Sequence, residues 1–264
     1  MNYMDDMEVN FYKYQGTGND FIMVDNRNGD FPKDNVDLVR SLCDRKFGIG
    51  ADGLILLEDS QDVDFEMVYY NSDGNPSSMC GNGGRCLVAF ANFLGVVQDS
   101  CTFNAVDGLH QAKIKDGIVS LAMQDVNKID NFNTHSFLNT GSPHHVQLVN
   151  GLESLDVKVQ GAKLRYGKYG NTGSNINFVQ PLGENTFQVR TYERGVEDET
   201  LSCGTGVTAV ALAMHEKGLA TLEQVQLKTP GGDLNVSFAK GDSGYHNIFL
   251  VGPATQVFKG IITV

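Results

Sequence analysis

Two of the five cysteines stand directly before glycine-rich segments that lead into apolar stretches: Cys80-Gly81-Asn82-Gly83 and Cys203-Gly204-Thr205-Gly206. A thiol at the start of a helix meets unpaired backbone N–H groups and the positive end of the helix dipole, which favour the thiolate. Glycines let another molecule approach the backbone closely, so the same N–H groups can hold an anion. The pattern therefore indicates a reactive sulfur beside an anion site, once in each half of the chain.

Two such thiols suit the inversion of a stereocentre. If the two halves face each other about a pseudo-twofold axis, both thiols meet over one cleft and reach opposite faces of one carbon. One thiolate would then remove the α-proton, and the opposite thiol would return a proton to the other face. The negative charge would spread into the carboxylate, held at two helix N-termini. We interpret this pattern as racemisation without a cofactor.

Other readings of the cysteines stay open at this point. Cys43, Cys86 and Cys101 lack the repeated glycine context, and we expect them to be small buried apolar residues. For Cys80 and Cys203, a disulfide or a metal pair is an alternative, although the spacing from Cys80 to Cys86 does not fit zinc. A small-molecule binding protein, or a redox protein with a reversible Cys80–Cys203 disulfide, is the alternative from another class.

An internal repeat places the two cysteines at equivalent positions. The match starts at Phe65 and Phe187, which are 122 residues apart (187 − 65), and reaches the two cysteines, which are 123 apart (203 − 80). Upstream, the segment that starts at Lys13 resembles the segment that starts at Lys168. We therefore predict two copies of a fold of about 125 residues.

Each copy has the same predicted elements. Alternating runs predict strands at Phe65–Tyr70 and Phe187–Tyr192, and helices are predicted at Arg85–Leu94 and Val207–Lys217. Both helices are apolar on nearly every side, so we expect them to be buried. Short strand-like runs with glycine turns follow each helix. The predicted class is α+β, with two pseudo-symmetric halves, each a curled mixed or antiparallel sheet around a central buried helix.

The predicted halves are residues 1–125, with the first reactive cysteine, and residues 126–264, with the second. The boundary is predicted within Asp125–Thr134, and the last strand is able to pack back on the first half. The chain has 264 residues, 41% of them hydrophobic, and a formal net charge of −12, which disfavours a nucleic-acid partner. It has no apolar run of the roughly 18 residues that a membrane span requires.

The first ten residues, MNYMDDMEVN, carry acids and have no apolar core, so they do not resemble a signal peptide. Five cysteines in 264 residues do not make a disulfide scaffold. We therefore expect a cytoplasmic protein in a reducing setting, without a membrane partner. The letters of Gly48-x-Gly50-x-x-Gly53 fit a dinucleotide motif, but no βαβ unit surrounds them, so they carry little weight.

At these residues the sequence closely resembles the diaminopimelate epimerase family of amino-acid epimerases, which work without pyridoxal phosphate. The resemblance spans nearly the whole chain. It consists of motifs in the correct order: GTGNDF (16–21), GIGADG (48–53), YNSDG (70–74), MCGNGGRC (79–86), GSPHHV (141–146), SNINF (174–178), YERG (192–195) and SCGTG (202–206). Proline-racemase-like relatives share the two-cysteine plan, but MCGNGGRC and GTGNDF favour the epimerase.

The resemblance implies epimerisation of LL-2,6-diaminopimelate to meso-diaminopimelate, in lysine and peptidoglycan-precursor biosynthesis, by a homodimer with no cofactor and no metal. Cys80 and Cys203 would be the catalytic acid/base pair. The remaining residues would bind the amino-acid substrate or support the thiols: Gly81, Asn82, Gly204 and Thr205 at the reacting carboxylate; Asn19, Asn71, Asn175 and Arg194 at the distal end; Glu193 and His144 near the reacting amino group.

Three departures from the family pattern concern the distal pocket. Ser142 stands where many members have asparagine, so a direct distal contact is expected to be lost or bridged by water. Gly53 stands where some members have glutamine and offers no side chain. The loop between Glu193 and Cys203 is one residue longer than in many members. A racemase of the same scaffold that acts on another amino acid, such as histidine, is therefore the nearest alternative.

Overall fold

A computed structural model describes residues 7–264, which form two compact units. The first unit comprises residues up to Val119 together with Pro253–Val264, and the second comprises Ser120–Gly252. None of the described helices is long and apolar enough to cross a membrane.

The first unit is a mixed sheet with two helices. Its elements are β1 (Glu8–Gly16), β2 (Asn19–Asp25), α1 (Val36–Cys43), β3 (Gly53–Glu58), β4 (Phe65–Asn71), α2 (Gly81–Phe93), β5 (Ser100–Ala105), β6 (Gly108–Lys115) and β17 (Thr255–Thr263). The strands pair in the order β17-β1-β2-β3-β4-β5-β6, with parallel pairs at β2–β3 and β4–β5 and antiparallel pairs elsewhere. A parallel pair needs a crossover, and α1 and α2 are the crossovers. The strand β7 (Ile118–Ala122) crosses the boundary to the second unit.

The second unit repeats this plan. Its elements are β8 (Ile129–Asn131), β9 (Ser136–Asn139), β10 (Pro143–Leu148), α3 (Val157–Gly167), β11 (Asn175–Gly183), β12 (Thr186–Glu193), β13 (Asp198–Thr200), α4 (Gly204–Glu216), β14 (Gln224–Thr229), β15 (Gly232–Gly241) and β16 (Gly244–Pro253). From β9 to β15 the pairs run antiparallel, parallel, antiparallel, parallel, antiparallel, as they do from β1 to β6. The helices α3 and α4 are the crossovers of the two parallel pairs. The predicted α+β class, with one central helix in each half, is confirmed.

The strand pairing corrects one part of the predicted repeat. The match between Phe65 and Phe187 is right, because β4 and β12 hold equivalent places in their sheets. The match between Lys13 and Lys168 is wrong, because the second segment leads into β11, whose equivalent is β3. The similar letters are turn residues before a strand, which recur wherever a loop enters a sheet.

Both central helices begin earlier than predicted, directly after their cysteines: α2 at Gly81 and α4 at Gly204. Glycine propensity predicts a loop there, but close packing overrides it. A Cβ at Gly83 would lie 2.9 Å from Ile55 Cδ1, and a Cβ at Gly206 would lie 2.5 Å from Asn177 Oδ1. Glycine therefore lets each helix start lie tightly against its own sheet.

Candidate active site

The first half-site is built around Cys80, the N-cap residue of α2, whose carbonyl accepts the helical hydrogen bond from Gly84 N at 2.7 Å. The sulfur lies 3.5 Å from Asn19 Oδ1, and Asn82 Nδ2 donates to the same oxygen at 3.4 Å. Asn19 begins β2, so the edge of the sheet delivers its amide to the start of the helix. Three of the predicted site residues are thus in direct contact.

A charged network holds the Asn19 amide in one orientation. Its Nδ2 donates to Asp52 Oδ2 at 2.6 Å, which leaves Oδ1 facing the Cys80 sulfur. Arg45 donates two hydrogen bonds to Asp20, at 3.0 and 2.7 Å, and one to Asp52, at 2.7 Å. Burial alone would raise the pKa of Asp20, but hydrogen bonds from Arg45 and Lys13 overcome it and hold that pKa well below the usual range.

Gly81, also predicted here, is the first residue of α2, and Asn71 lies at the end of β4, opposite Gly53. The Asn71 side chain is exposed and is not hydrogen-bonded to another residue within 7–264. Tyr69 explains the departure at position 53, because a Cβ on Gly53 would lie 2.5 Å from the tyrosine ring and 2.5 Å from Tyr70 O. The tyrosine therefore fills the space that a longer side chain would use.

The second half-site is built around Cys203, the N-cap residue of α4, which is 7% exposed. Its sulfur lies 3.5 Å from Thr205 Oγ1, and that hydroxyl lies 2.9 Å from His144 Nε2. His144 lies on β10 and is fully buried. The other nitrogen of its ring, Nδ1, lies 3.2 Å from Asn177 Nδ2. The predicted residues Cys203, Gly204, Thr205 and His144 therefore come together.

The hydrogen bonds determine the tautomer of His144. Asn177 Nδ2 donates to the backbone carbonyl of His145 at 2.9 Å, which can only accept, so the same nitrogen is the group that donates to His144 Nδ1. The proton of the neutral ring then lies on Nε2 and is donated to Thr205 Oγ1, which frees the threonine proton for Cys203. Burial, with a smaller contribution from Arg194, lowers the pKa of His144 to about 3. His144 is therefore a neutral group that orients Thr205.

The predicted distal residues of this unit are connected through Ser142. Its hydroxyl oxygen accepts from Asn175 Nδ2 at 3.1 Å and from Arg194 Nη2 at 3.4 Å, while Asn175 Oδ1 accepts from Arg194 N at 2.8 Å. Ser142 thus takes part in the distal cluster directly. The exposed Arg194 guanidinium has no carboxylate partner among the described residues. Glu193, at the end of β12, accepts from Thr200 Oγ1 at 3.0 Å.

The groups that hold these side chains, above all Asp52, Arg45 and Asn177, are not among the predicted site residues. Asp52 and Asn177 lie inside the GIGADG and SNINF motifs, so those motifs already carry a signal for them. Arg45 lies outside every motif. Within residues 7–264 no group of three or more His, Cys, Asp or Glu side chains could hold a metal ion.

The other cysteines behave as predicted from their sequence context. Cys43, Cys86 and Cys101 are free, buried thiols, and burial raises the pKa of each to about 12. They lie in α1, in the middle of α2 and in β5, away from the helix starts. The prediction that these three residues are small buried apolar groups is confirmed.

Comparison with known proteins connects this arrangement to a family. A family model described as diaminopimelate epimerase matches residues 11–129 and 136–257. The diaminopimelate epimerase of Flavobacterium psychrophilum is 57% identical over 256 residues, which are 96% of this chain and 100% of that protein. That of Chlorobaculum tepidum is 42% identical over 260 residues, 94% of this chain and 99% of that protein.

Solved structures with low identity share the fold. A PhzF-family phenazine biosynthesis protein from Bacillus anthracis superposes with a TM-score of 0.78 at 13% identity, over 98% of this chain and 100% of that one. A hydroxyproline epimerase from Agrobacterium vitis gives a TM-score of 0.68 at 13% identity, over 100% and 94% of the two chains. By its family match and its full-length relatives, the chain belongs to the diaminopimelate epimerase family and is an isomerase.

Proposed function

We propose that the protein interconverts LL-2,6-diaminopimelate and meso-diaminopimelate, for lysine and peptidoglycan-precursor biosynthesis, with Cys80 and Cys203 as the acid/base pair and without pyridoxal phosphate. The observation that carries this proposal is the duplicated placement of a thiol as the N-cap of a buried central helix. The identity to proteins named diaminopimelate epimerase supports the choice of substrate.

In the proposed reaction, one thiolate takes the α-proton and the electron pair of the C–H bond moves onto the α-carbon and its carboxylate. The opposite thiol then gives its proton to the other face, and the new C–H bond takes up that electron pair. Positioned acid/base groups of this kind contribute about 10²–10⁴-fold to a rate. The N-termini of α2 and α4 would stabilise the carboxylate through Gly81, Asn82, Gly204 and Thr205, because charge develops there in the transition state.

The distal amino-acid end is proposed to be recognised by asparagine amides and one guanidinium: Asn19, Asn71, Asn175 and Arg194. Arginine binds a carboxylate with two parallel hydrogen bonds, and Arg194 is exposed and without a carboxylate partner among the described residues. Amides offer both a donor and an acceptor, which suits a zwitterion. Glu193 is proposed to pair with the reacting ammonium group.

We further propose a cytoplasmic homodimer whose functional halves are residues 1–125 and 126–264, with one catalytic cysteine each. The pairing of β17 with β1 supports a last strand that packs on the first half. Sedimentation equilibrium across a range of concentrations tests the dimer. A single species with the mass of the monomer throughout would contradict it.

The first experiment is to incubate LL-diaminopimelate with the reduced protein in heavy water, without added cofactor, and to analyse mass and chirality. Deuterium at one α-carbon together with meso product is the expected result. No exchange by a folded, reduced protein would overturn the proposal. A panel of other amino acids, histidine included, would then identify a racemase with another substrate, and failure across the panel would favour a binding protein.

A further inference from the structure

Arg85 is a buried cation that has no role in the proposed proton transfer. It lies on α2, five positions after Cys80, and its side chain is 0% exposed. Nη2 donates to Thr17 Oγ1 at 3.2 Å and Nη1 to Gly81 O at 3.4 Å, while Nε has no partner among the described residues. No carboxylate within residues 7–264 pairs with it. A buried guanidinium without an acid is costly, so some other group must offset its charge.

Two thiols lie beside Arg85 on α2. Cys86 follows it in the chain, and Cys80 directly precedes Gly81, whose carbonyl accepts from Arg85 Nη1. Cys86 is fully buried, and burial raises its pKa to about 12, so it stays a neutral thiol. Tyr14, which faces Cys86 from β1, is also kept neutral, because burial raises its pKa far above the usual range. Cys80 is half-buried at a helix N-terminus, where a thiolate is favoured. Cys80 is therefore the neighbour able to carry the negative charge.

The other ionisable groups on the strands packed against α2 do not supply that charge. On β2, Asp20 is paired with Lys13 and Arg45, and before β3, Asp52 is paired with Arg45. The remaining groups are exposed, hydrogen-bonded to another residue or packed on a ring. They are Glu8 and Tyr12 on β1, Asp25 on β2, Glu58 on β3, His110, Lys113 and Lys115 on β6, and Lys259 on β17.

The second unit provides a natural comparison. The position that corresponds to Arg85 in α4 is Thr208, which is also 0% exposed. Its hydroxyl donates to Gly204 O at 2.9 Å, and Gly204 corresponds to Gly81. Both helices therefore place a side-chain donor on the carbonyl of their first residue, but the donor is charged in the first unit and neutral in the second.

We propose that Arg85 is a positioning residue for Cys80, the buried counter-charge that stabilises the Cys80 thiolate whenever this thiol gives up its proton. The inference rests on the proposed function of Cys80. Asn19 Oδ1 faces the sulfur and can only accept from it, which favours the protonated thiol. The positive charge of Arg85 favours the thiolate instead, so Cys80 is able both to give up a proton and to take one back.

The test is the pH dependence of iodoacetamide alkylation at Cys80, followed in the full-length protein by mass spectrometry of the peptide that contains this cysteine. Arg85→Met is expected to raise the midpoint of the Cys80 profile by about 1 unit or more, because an opposite charge nearby lowers a pKa by roughly 1–3 units. Arg85→Lys keeps the charge and is therefore expected to shift the Cys80 midpoint much less than Arg85→Met does. Thr208→Val is the matched control and is expected to leave the Cys80 midpoint unchanged.

A structural role for Arg85 would give a different result. An unpaired buried charge is costly, so Arg85→Met is expected to keep or raise the melting temperature. A folded Arg85→Met protein with the wild-type Cys80 midpoint would overturn the inference, and Arg85→Gln is read in the same way if the methionine variant does not fold. Alkylation needs no turnover. If Arg85→Met shifts the Cys80 midpoint as expected while the wild-type protein exchanges no α-hydrogen, the proposed function alone is refuted.

Discussion

The two cysteines begin buried helices of the same length in sheets with the same pairing order, yet their sulfurs meet different groups. Cys80 faces an amide held by a carboxylate that is itself paired with the Arg45 guanidinium. Cys203 meets a hydroxyl aligned by a neutral histidine and an amide. The backbone has kept the duplicated plan, while the side chains behind each sulfur have diverged. Equivalent position therefore does not imply equivalent chemistry at the two thiols.

The largest effect is expected from replacing either sulfur. Cys80→Ser and Cys203→Ser are each expected to lower kcat by about 10³-fold or more, because a serine hydroxyl is a far weaker acid than a thiol. Circular dichroism should show an unchanged fold. Cys101→Ser, at a buried cysteine away from both helix starts, is the control and should retain turnover. Near wild-type rates for either helix-start variant would refute a two-thiol mechanism.

Position 206, in the first turn of α4, has no room for a side chain. Gly206→Ala would bring a Cβ to 2.5 Å from Asn177 Oδ1 and displace the amide that fixes His144. We expect a loss of about 1–3 kcal/mol in the free energy of unfolding, together with at least a tenfold loss of activity. Gly183→Ala is the matched control, because a Cβ there meets nothing within 4 Å. Equal stability of the two variants in urea titrations would contradict this prediction.

The charged network of the first half-site is tested by Asp52→Asn, which weakens the hold on Asn19 and removes one partner of Arg45. We expect kcat/KM to fall by about 10- to 100-fold, since a hydrogen bond to a charged group contributes roughly 1.5–3 kcal/mol. Asp37→Asn removes an exposed carboxylate paired with Arg40 in the same unit and should change kcat/KM little. Steady-state kinetics of both variants test whether the effect comes from the network at Asn19 or from any loss of negative charge. Equal losses of kcat/KM in the two variants would contradict the prediction.

The neutral network of the second half-site predicts an effect of pH on stability. The pKa of His144 is about 3 in the folded protein, below the 6.5 of an exposed histidine, so the unfolded state binds more protons below pH 6.5. The stability contributed by the neutral ring is therefore complete above pH 6.5 and is lost as the pH falls towards 3. His144→Gln should reduce the loss of unfolding free energy between pH 7 and pH 5 by on the order of 2 kcal/mol.

Urea titrations at the two pH values measure this difference. His110→Gln, at a histidine that is hydrogen-bonded to Asp107 on the first unit, is the matched control and should leave most of the pH dependence in place. An identical pH dependence of wild type and His144→Gln would show that the buried imidazole does not titrate as inferred.

The sequence motifs were sufficient to predict the α+β class, the two central helices and the two thiols. They did so because the apolar helices and the glycines beside the cysteines are local patterns. The supports of Asn19 were not predictable in this way. Asn19 and Asp52 are far apart in the chain, and only the parallel pairing of β2 with β3 brings them together.

Two further features could not be predicted from the sequence, because they depend on contacts between distant elements. The helix starts at Gly81 and Gly204 depend on close contacts with strands, which outweigh the low helix propensity of glycine. The role of Ser142 depends on Asn175 and Arg194, which reach it from β11 and from the end of β12. In each case the deciding contact joins residues that no short motif contains together.

The pairing of β17 with β1 has a consequence for how the chain is made. The register joins Glu8 to Thr263, so the first unit lacks the strand β17 until that segment has been synthesised, after the whole of the second unit. The second unit, Ser120–Gly252, is contiguous and can close earlier. Domains usually fold in the order of synthesis, but here the unit that starts first finishes last. During that interval a nascent chain would expose the open edge of β1, whose backbone groups stay unpaired until β17 arrives.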